Sequence, residues 1–184
     1  LFPYTTLFRS KGWWGYGIGS ATMLLAGMVV TVLALNGPLR PEPWYDPRYA
    51  IPLFGMILGN AMTGISLGLD GLTSLVGRER AAIEAQLTLG ATRWRALRPI
   101  AQRALRTGFT PMLNSMAAAG VVFLPGMMTG QILSGVAPEQ AVKYQILVLF
   151  LIAGASGLGV LTAVLASIWR LTDDRHRLRL DRLA

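Results

Sequence analysis

Apolar and polar positions alternate along this chain by whole segments, not residue by residue. Trp13–Leu35 is uncharged and apolar, long enough to cross a bilayer as a helix of about 20 residues. Asn36–Ile51 reads as a loop, because Pro38, Pro41, Pro43 and Pro47 forbid a regular helix. Trp44, Tyr45 and Tyr49 in that loop suit a membrane interface. Pro52 to about Val76 is a second span, in which Gly55, Gly59, Gly64 and Gly68 predict a small-residue packing stripe. Residues 77–108 break the apolar pattern. Ile83, Leu87, Gly90, Trp94, Leu97, Ala101 and Leu105 step by three or four, which makes one face of a helix or of two short helices. Gly90 is placed to end the first helix in a left-handed cap, and Thr92 to cap the second. Phe109 to about Ser134 is a third span, with Pro111 in its first turn and Pro125-Gly126 interrupting its far half. A short outside loop, Gly135–Lys143, leads to a fourth uncharged span, Tyr144–Trp169. The pattern predicts an all-α, polytopic transmembrane helix bundle with four spans.

Composition agrees with that pattern. The chain is 53% hydrophobic and only 14% charged, too apolar for an ordinary soluble domain. Its net charge of +8 suggests nucleic acid in a soluble protein. Here the arginines lie between and after apolar spans, so a positive-inside bias accounts for them and no nucleic-acid partner is expected. Seven arginines fall in residues 78–106 and five from Arg170 onward, against two and one Lys/Arg in the inferred outside loops. That asymmetry predicts a cytoplasmic C-terminus. There are no cysteines, which excludes disulfides and Cys-ligated metal.

Residues 1–10, LFPYTTLFRS, read as the translation of a common sequencing adapter, an artefact to be set aside. Native sequence is then expected to begin near Lys11, as residues 11–184 of one membrane domain whose N-terminal spans are missing.

Chemistry concentrates in the basic segment. Glu84-Ala85-Gln86, then Gly90, then Ile100 matches the spacing of the EAA loop of bacterial ABC permeases, with Trp94 on the same helical face. Such a loop rests on the membrane face and inserts its apolar side in a cleft of the ATPase. The Leu-Pro expected after the isoleucine is replaced by Gln102-Arg103. A basic amphipathic helix on anionic lipid is the alternative, and spacing alone does not choose between them.

Polar and soft side chains inside spans form a second set. Asn60, Asn114 and Gln131 are costly in lipid and should face the bundle or a water-filled path. Met56, Met62, Met127 and Met128 are soft thioether donors, better matched to copper(I) than to ferric iron, and methionine equally fills irregular packing gaps. The Pro125-Gly126 break either exposes backbone for a ligand or serves close packing. Asp70, near the inner end of its span, is expected to pair with Arg78 or Arg80. His176, the only histidine, stands among tail arginines as a solvated side chain. No metal-ligand spacing is evident, so a metal site is unknown.

Longer runs then bear on the choice. GMILGNAM at 55–62, LTLGAT at 87–92, LPGMMTGQILSG at 124–135 and AVKYQI at 141–146 resemble the FetB-type (UPF0014) iron-export permeases. The resemblance runs from Lys11 to about Arg177. It implies a permease subunit of an ABC transporter in the bacterial inner membrane, exporting iron or a related metal species. It further implies a homodimer enclosing the path and a separate ATP-binding subunit as partner. The chain holds no Walker-type glycine loop, so ATP is expected on that partner and no cofactor on this chain. A permease of another substrate, and a membrane enzyme or non-transporting scaffold, are the competing readings. An enzyme should gather acids or histidines at one interface, and this sequence lacks them.

Overall fold

The computed structural model describes residues 13–36, 47–120 and 125–172. The adapter-like residues 1–10, the loop aromatics Trp44 and Tyr45, Leu124 of the LPGMMTG run, and the basic tail with His176 lie outside them. Six helices make up the described residues: α1 (Trp13–Ala34), α2 (Pro47–Arg78), α3 (Arg80–Thr88), α4 (Arg93–Ala118), α5 (Gly126–Leu133) and α6 (Pro138–Leu171). Two of them are long and apolar enough to cross a membrane, Ala50–Arg78 and Pro138–Leu171, and Gly19–Ala34 is a shorter apolar helix.

The first, second and fourth predicted spans correspond to α1, α2 and α6. Both long helices overrun their predictions. α2 starts at Pro47, inside the expected loop, and α6 starts at Pro138, where proline tolerates the first helical turn.

The third span is not one helix. α4 runs without interruption from the basic segment into the apolar one, and its chain leaves the helix at Ala119, with Gly120 at φ +81°. Pro111 therefore sits deep inside α4, not at a helix start. The reason is that backbone hydrogen bonding continues wherever no cap competes, and a change from charged to apolar side chains is no cap. Half of the expected cytoplasmic loop is consequently packed helix.

Two apolar clusters hold the helices together. The inner one joins Leu72 and Val76 of α2, Ile83 of α3, Leu97, Ile100 and Ala104 of α4, and Val164 and Ile168 of α6. The outer one joins Val30 and Ala34 of α1, Leu53 and Ile57 of α2, and Val148 and Ala155 of α6. α2 and α4 cross where a Cβ on Gly64 would lie 3.0 Å from the Gly108 carbonyl oxygen. A Cβ on Gly108 would in turn meet Val160 of α6 at 2.6 Å. Only small residues allow backbones to approach that closely.

The predicted glycine stripe on α2 is therefore half right. Gly64 and Gly68 pack, while a Cβ on Gly55 or Gly59 would meet nothing within 4 Å. From Gly59 to Gly64 is a step of five residues, which at 3.6 residues per turn rotates the position by about 140° onto another face.

Candidate functional site

One end of the bundle carries the corner between α3 and α4. α3 ends in a Schellman motif: Ala91 N–H donates to the Gln86 carbonyl at 3.0 Å and Gly90 N–H to the Leu87 carbonyl at 3.1 Å. Gly90 takes the left-handed φ of +86° that the motif requires. Thr92 then caps α4, its Oγ1 accepting from Arg95 N–H at 3.4 Å. Both caps stand where the sequence predicts them.

The coupling candidates divide between outside and inside. Glu84, Ala85, Gln86 and Gly90 are exposed, and Trp94 is partly so. Glu84 accepts from Arg80 Nε at 2.7 Å, one turn back on the same helix. Both side chains are largely solvated, so the pair is worth only about 0.3–0.5 kcal/mol and leaves Glu84 free to exchange partners. Ile100, by contrast, is 1% exposed within the inner cluster. It holds α4 against α2 and α6 and is not at the surface. The apolar face of residues 83–105 is thus turned largely inward, with Ile83, Leu97 and Ile100 all buried.

What projects instead is Leu89, 87% exposed beside the glycine cap, a residue the periodicity passed over. Its signal was positional: an apolar side chain immediately before a C′ glycine has no helix face to return to. Trp169 at the end of α6 is likewise exposed, and the Arg93 guanidinium lies 6.0 Å from its ring centroid, tying the start of α4 to the last turn of α6. Arg103 bonds Glu79 across the α2–α4 gap.

Asp70 is exposed and makes no ion pair among the described residues, contrary to expectation. Arg80 is drawn to Glu84, and Arg78 lies eight residues away along α2, about 12 Å at 1.5 Å per residue.

The second candidate set is not gathered into one cavity. Asn60 and Asn114 are exposed on α2 and α4, and Asn60 donates Nδ2–H to the Met56 carbonyl at 2.9 Å. Met56 and Met127 both flank the outer cluster, Met128 is 9% exposed, and Met62 is half-buried. These placements are those of packing side chains. Pro125 precedes α5 in extended backbone, so the predicted break is real, and α5 begins at Gly126. Gln131 keeps a buried Oε1 without a hydrogen-bond partner, as does Gln145 of α6. Among the described residues no group of three or more His, Cys, Asp or Glu could hold a metal ion.

The model of one family, described as uncharacterised protein family UPF0014, matches residues 8–171. The chain belongs to the UPF0014 family. Relatives include a UPF0014 membrane protein of Synechocystis, 38% identical over 92% of this chain and 64% of its own length. The probable iron export permease protein FetB of Escherichia coli is 35% identical over 83% of this chain and 58% of its own. Protein ALUMINUM SENSITIVE 3 of Arabidopsis thaliana is 36% identical over 76% and 50% respectively. The chain thus spans about half to two thirds of the length of these relatives. No solved structure matches it. Membership of UPF0014 makes this a multi-pass membrane protein of the kind the long apolar helices indicate.

Proposed function

We propose that this UPF0014 protein is the permease subunit of an ABC transporter, exporting iron or a related metal species across the bacterial inner membrane. A separate ATPase subunit binds and hydrolyses ATP. In this reading the chain crosses the membrane four times. α1, α2 and α6 make three crossings, and the apolar half of α4 together with α5 makes the third in order. The arginine-rich corner and the C-terminus face the cytoplasm, and two copies enclose the path. The relative named for iron export supports the cargo, and the relative named for aluminium sensitivity points to another metal.

The observation that carries the reading is the α3–α4 corner. A rigid, doubly capped turn presents Leu89, Trp94 and Glu84 outward while its opposite face is welded to the inner core through Ile83, Leu97 and Ile100. A lipid-resting amphipathic helix would direct its broad apolar face away from the bundle. Here that face is largely spent on the bundle, and Leu89 and Trp94 remain exposed as an apolar knob in an arginine-rich segment. Such a knob fits a cleft in a partner protein, and motion of the partner reaches α2 and α6 through the shared core.

Glu84→Lys should abolish co-purification with the ATPase while leaving the helical content and membrane insertion of the permease unchanged. Leu89→Asp should do the same. Undiminished co-purification in both variants would sink the docking assignment.

A further inference from the structure

One face of α2 remains open over about four turns. Asn60, Thr63, Asp70 and Ser74 fall on it at helical spacing, and Asn60, Asp70 and Ser74 are exposed. Gly59, one step to the side, opens onto empty space. The opposite face, with Ile57, Ala61, Ile65 and Leu72, is fully buried. From Asn60 to Asp70 is about 15 Å of rise, half of a hydrocarbon core about 30 Å thick, and Asp70 lies level with the α4 arginines that mark the inner edge of that core. Lipid would select apolar side chains there, since exposed polar groups in hydrocarbon are costly. The outward positions of α6 show that choice, with Phe150, Leu158, Leu161 and Leu165 exposed.

α4 extends the same surface. A Cβ on Gly71 would lie 3.7 Å from Thr107 Cβ, so the edge of α4 that carries Thr107, Thr110 and Asn114 adjoins this face of α2. The antiparallel register set at Gly64 and Gly108 brings Asn114 within about a turn of the height of Asn60. Leu67 interrupts the polar series on α2 at the level where Thr107 stands on α4.

The hydrogen bonds decide what this surface offers. Thr63 donates its hydroxyl hydrogen to the Gly59 carbonyl at 3.2 Å. Thr107 donates to Arg103 and Thr110 to Arg106, at 3.0 and 2.7 Å. Asn60 spends an amide hydrogen on Met56. The three threonines have each committed their hydroxyl hydrogen to their own helix, so oxygen lone pairs are what they have left to present, and Asn60 keeps its carbonyl oxygen beside one remaining amide hydrogen. The one carboxylate of the series, Asp70, stands toward the inner end without an ion-pair partner among the described residues, and Arg103 at that end is held by Glu79.

We infer that this joined face of α2 and α4 is the wall of a hydrated path for a cation that prefers oxygen ligands, with Asp70 as its one carboxylate ligand, near the cytoplasmic end. The inference rests on the permease reading and adds the wall and the ligand chemistry. Hydroxyl and amide oxygens spread over several turns provide weak, repeated contacts, which suit passage better than a tight chelate. Met56 and Met127, packed on the outer cluster, and the buried Met128 take no part in it.

The 184 residues hold no cysteine, so single cysteines are introduced here and read against the unsubstituted parent. Thr63→Cys and Thr110→Cys should react with membrane-impermeant thiosulfonates in native membranes, about tenfold faster than Leu158→Cys and Leu161→Cys on α6. A cationic reagent should outpace an anionic one at both sites, and Asp70→Asn should reduce that preference. Absence of reaction at Thr63→Cys and Thr110→Cys, showing the face covered by protein or lipid, would overturn the proposal. Equal or reversed charge preference would overturn its cation selectivity. Reaction rates do not depend on ATPase capture, so this test and the co-purification test fail separately.

Discussion

Gly108 is the most constrained residue in the bundle. Its missing side chain lets α4 touch α2 and α6 at once, with Val160 and the Gly64 carbonyl both inside normal contact distance of a Cβ. Gly108→Val should therefore destabilise the protein by about 1–3 kcal/mol, read as a lower thermal midpoint in detergent. Ser156 is the opposite case. It is 1% exposed on α6 and its hydroxyl has no partner. Ser156→Ala removes a buried unsatisfied group, so the midpoint should hold or rise, by up to about 1 kcal/mol. A clear fall would mean that the hydroxyl has a partner in the assembled protein. Neither residue was singled out from the sequence. The small-residue run Gly154–Gly159 in an apolar span was the available signal, but a glycine's neighbours lie on other helices, which periodicity along one helix does not name.

At the scale of elements, the corner between α3 and α4 was the most legible part of the chain. Gly90 and Thr92 act through local backbone hydrogen bonds, and local chemistry is what a sequence displays directly. Gly90→Val forces a β-branched residue into left-handed backbone at about 1–2 kcal/mol, with nothing within 4 Å to clash. ATPase co-purification should weaken, with the thermal midpoint of the bundle lowered by only about 2–8 °C. An unchanged complex would show that the corner's shape is not what the partner reads. The boundaries of α4 were less legible. Arginines suggested a loop and apolar residues suggested a span, yet one helix carries both, because Leu97, Ile100, Ala104 and Gly108 bury one face from the arginine-rich turns into the apolar ones.

For the whole molecule, the inner and outer clusters divide the labour. The inner one fixes the corner to α2 and α6, and the outer one takes in Met56 and Met127. Met127→Leu with Met128→Leu conserves volume and should cost less than about 1.5 kcal/mol. Expression and metal efflux should match those of the parent. A loss of efflux at normal expression would return the methionines to the cargo path. Among the candidate site residues, the exposed Asn60 and Asn114 converge on one surface, while Ile100 leaves the docking surface for the core. Nothing in the sequence distinguished those fates, since each was simply a polar or apolar residue at a helical position.

The presence of three apolar helices, the caps of the corner and membership of UPF0014 were determined by the sequence itself, because hydropathy, turn chemistry and word-like runs are properties of neighbouring residues. Tertiary structure alone decided which glycines pack, that the basic segment turns its apolar face inward, and that one polar face of α2 stays open. The physical reason is that lipid and protein interior are almost equally apolar. Hydrophobicity places a helix in the membrane without saying which of its faces meets lipid, a neighbouring helix or water.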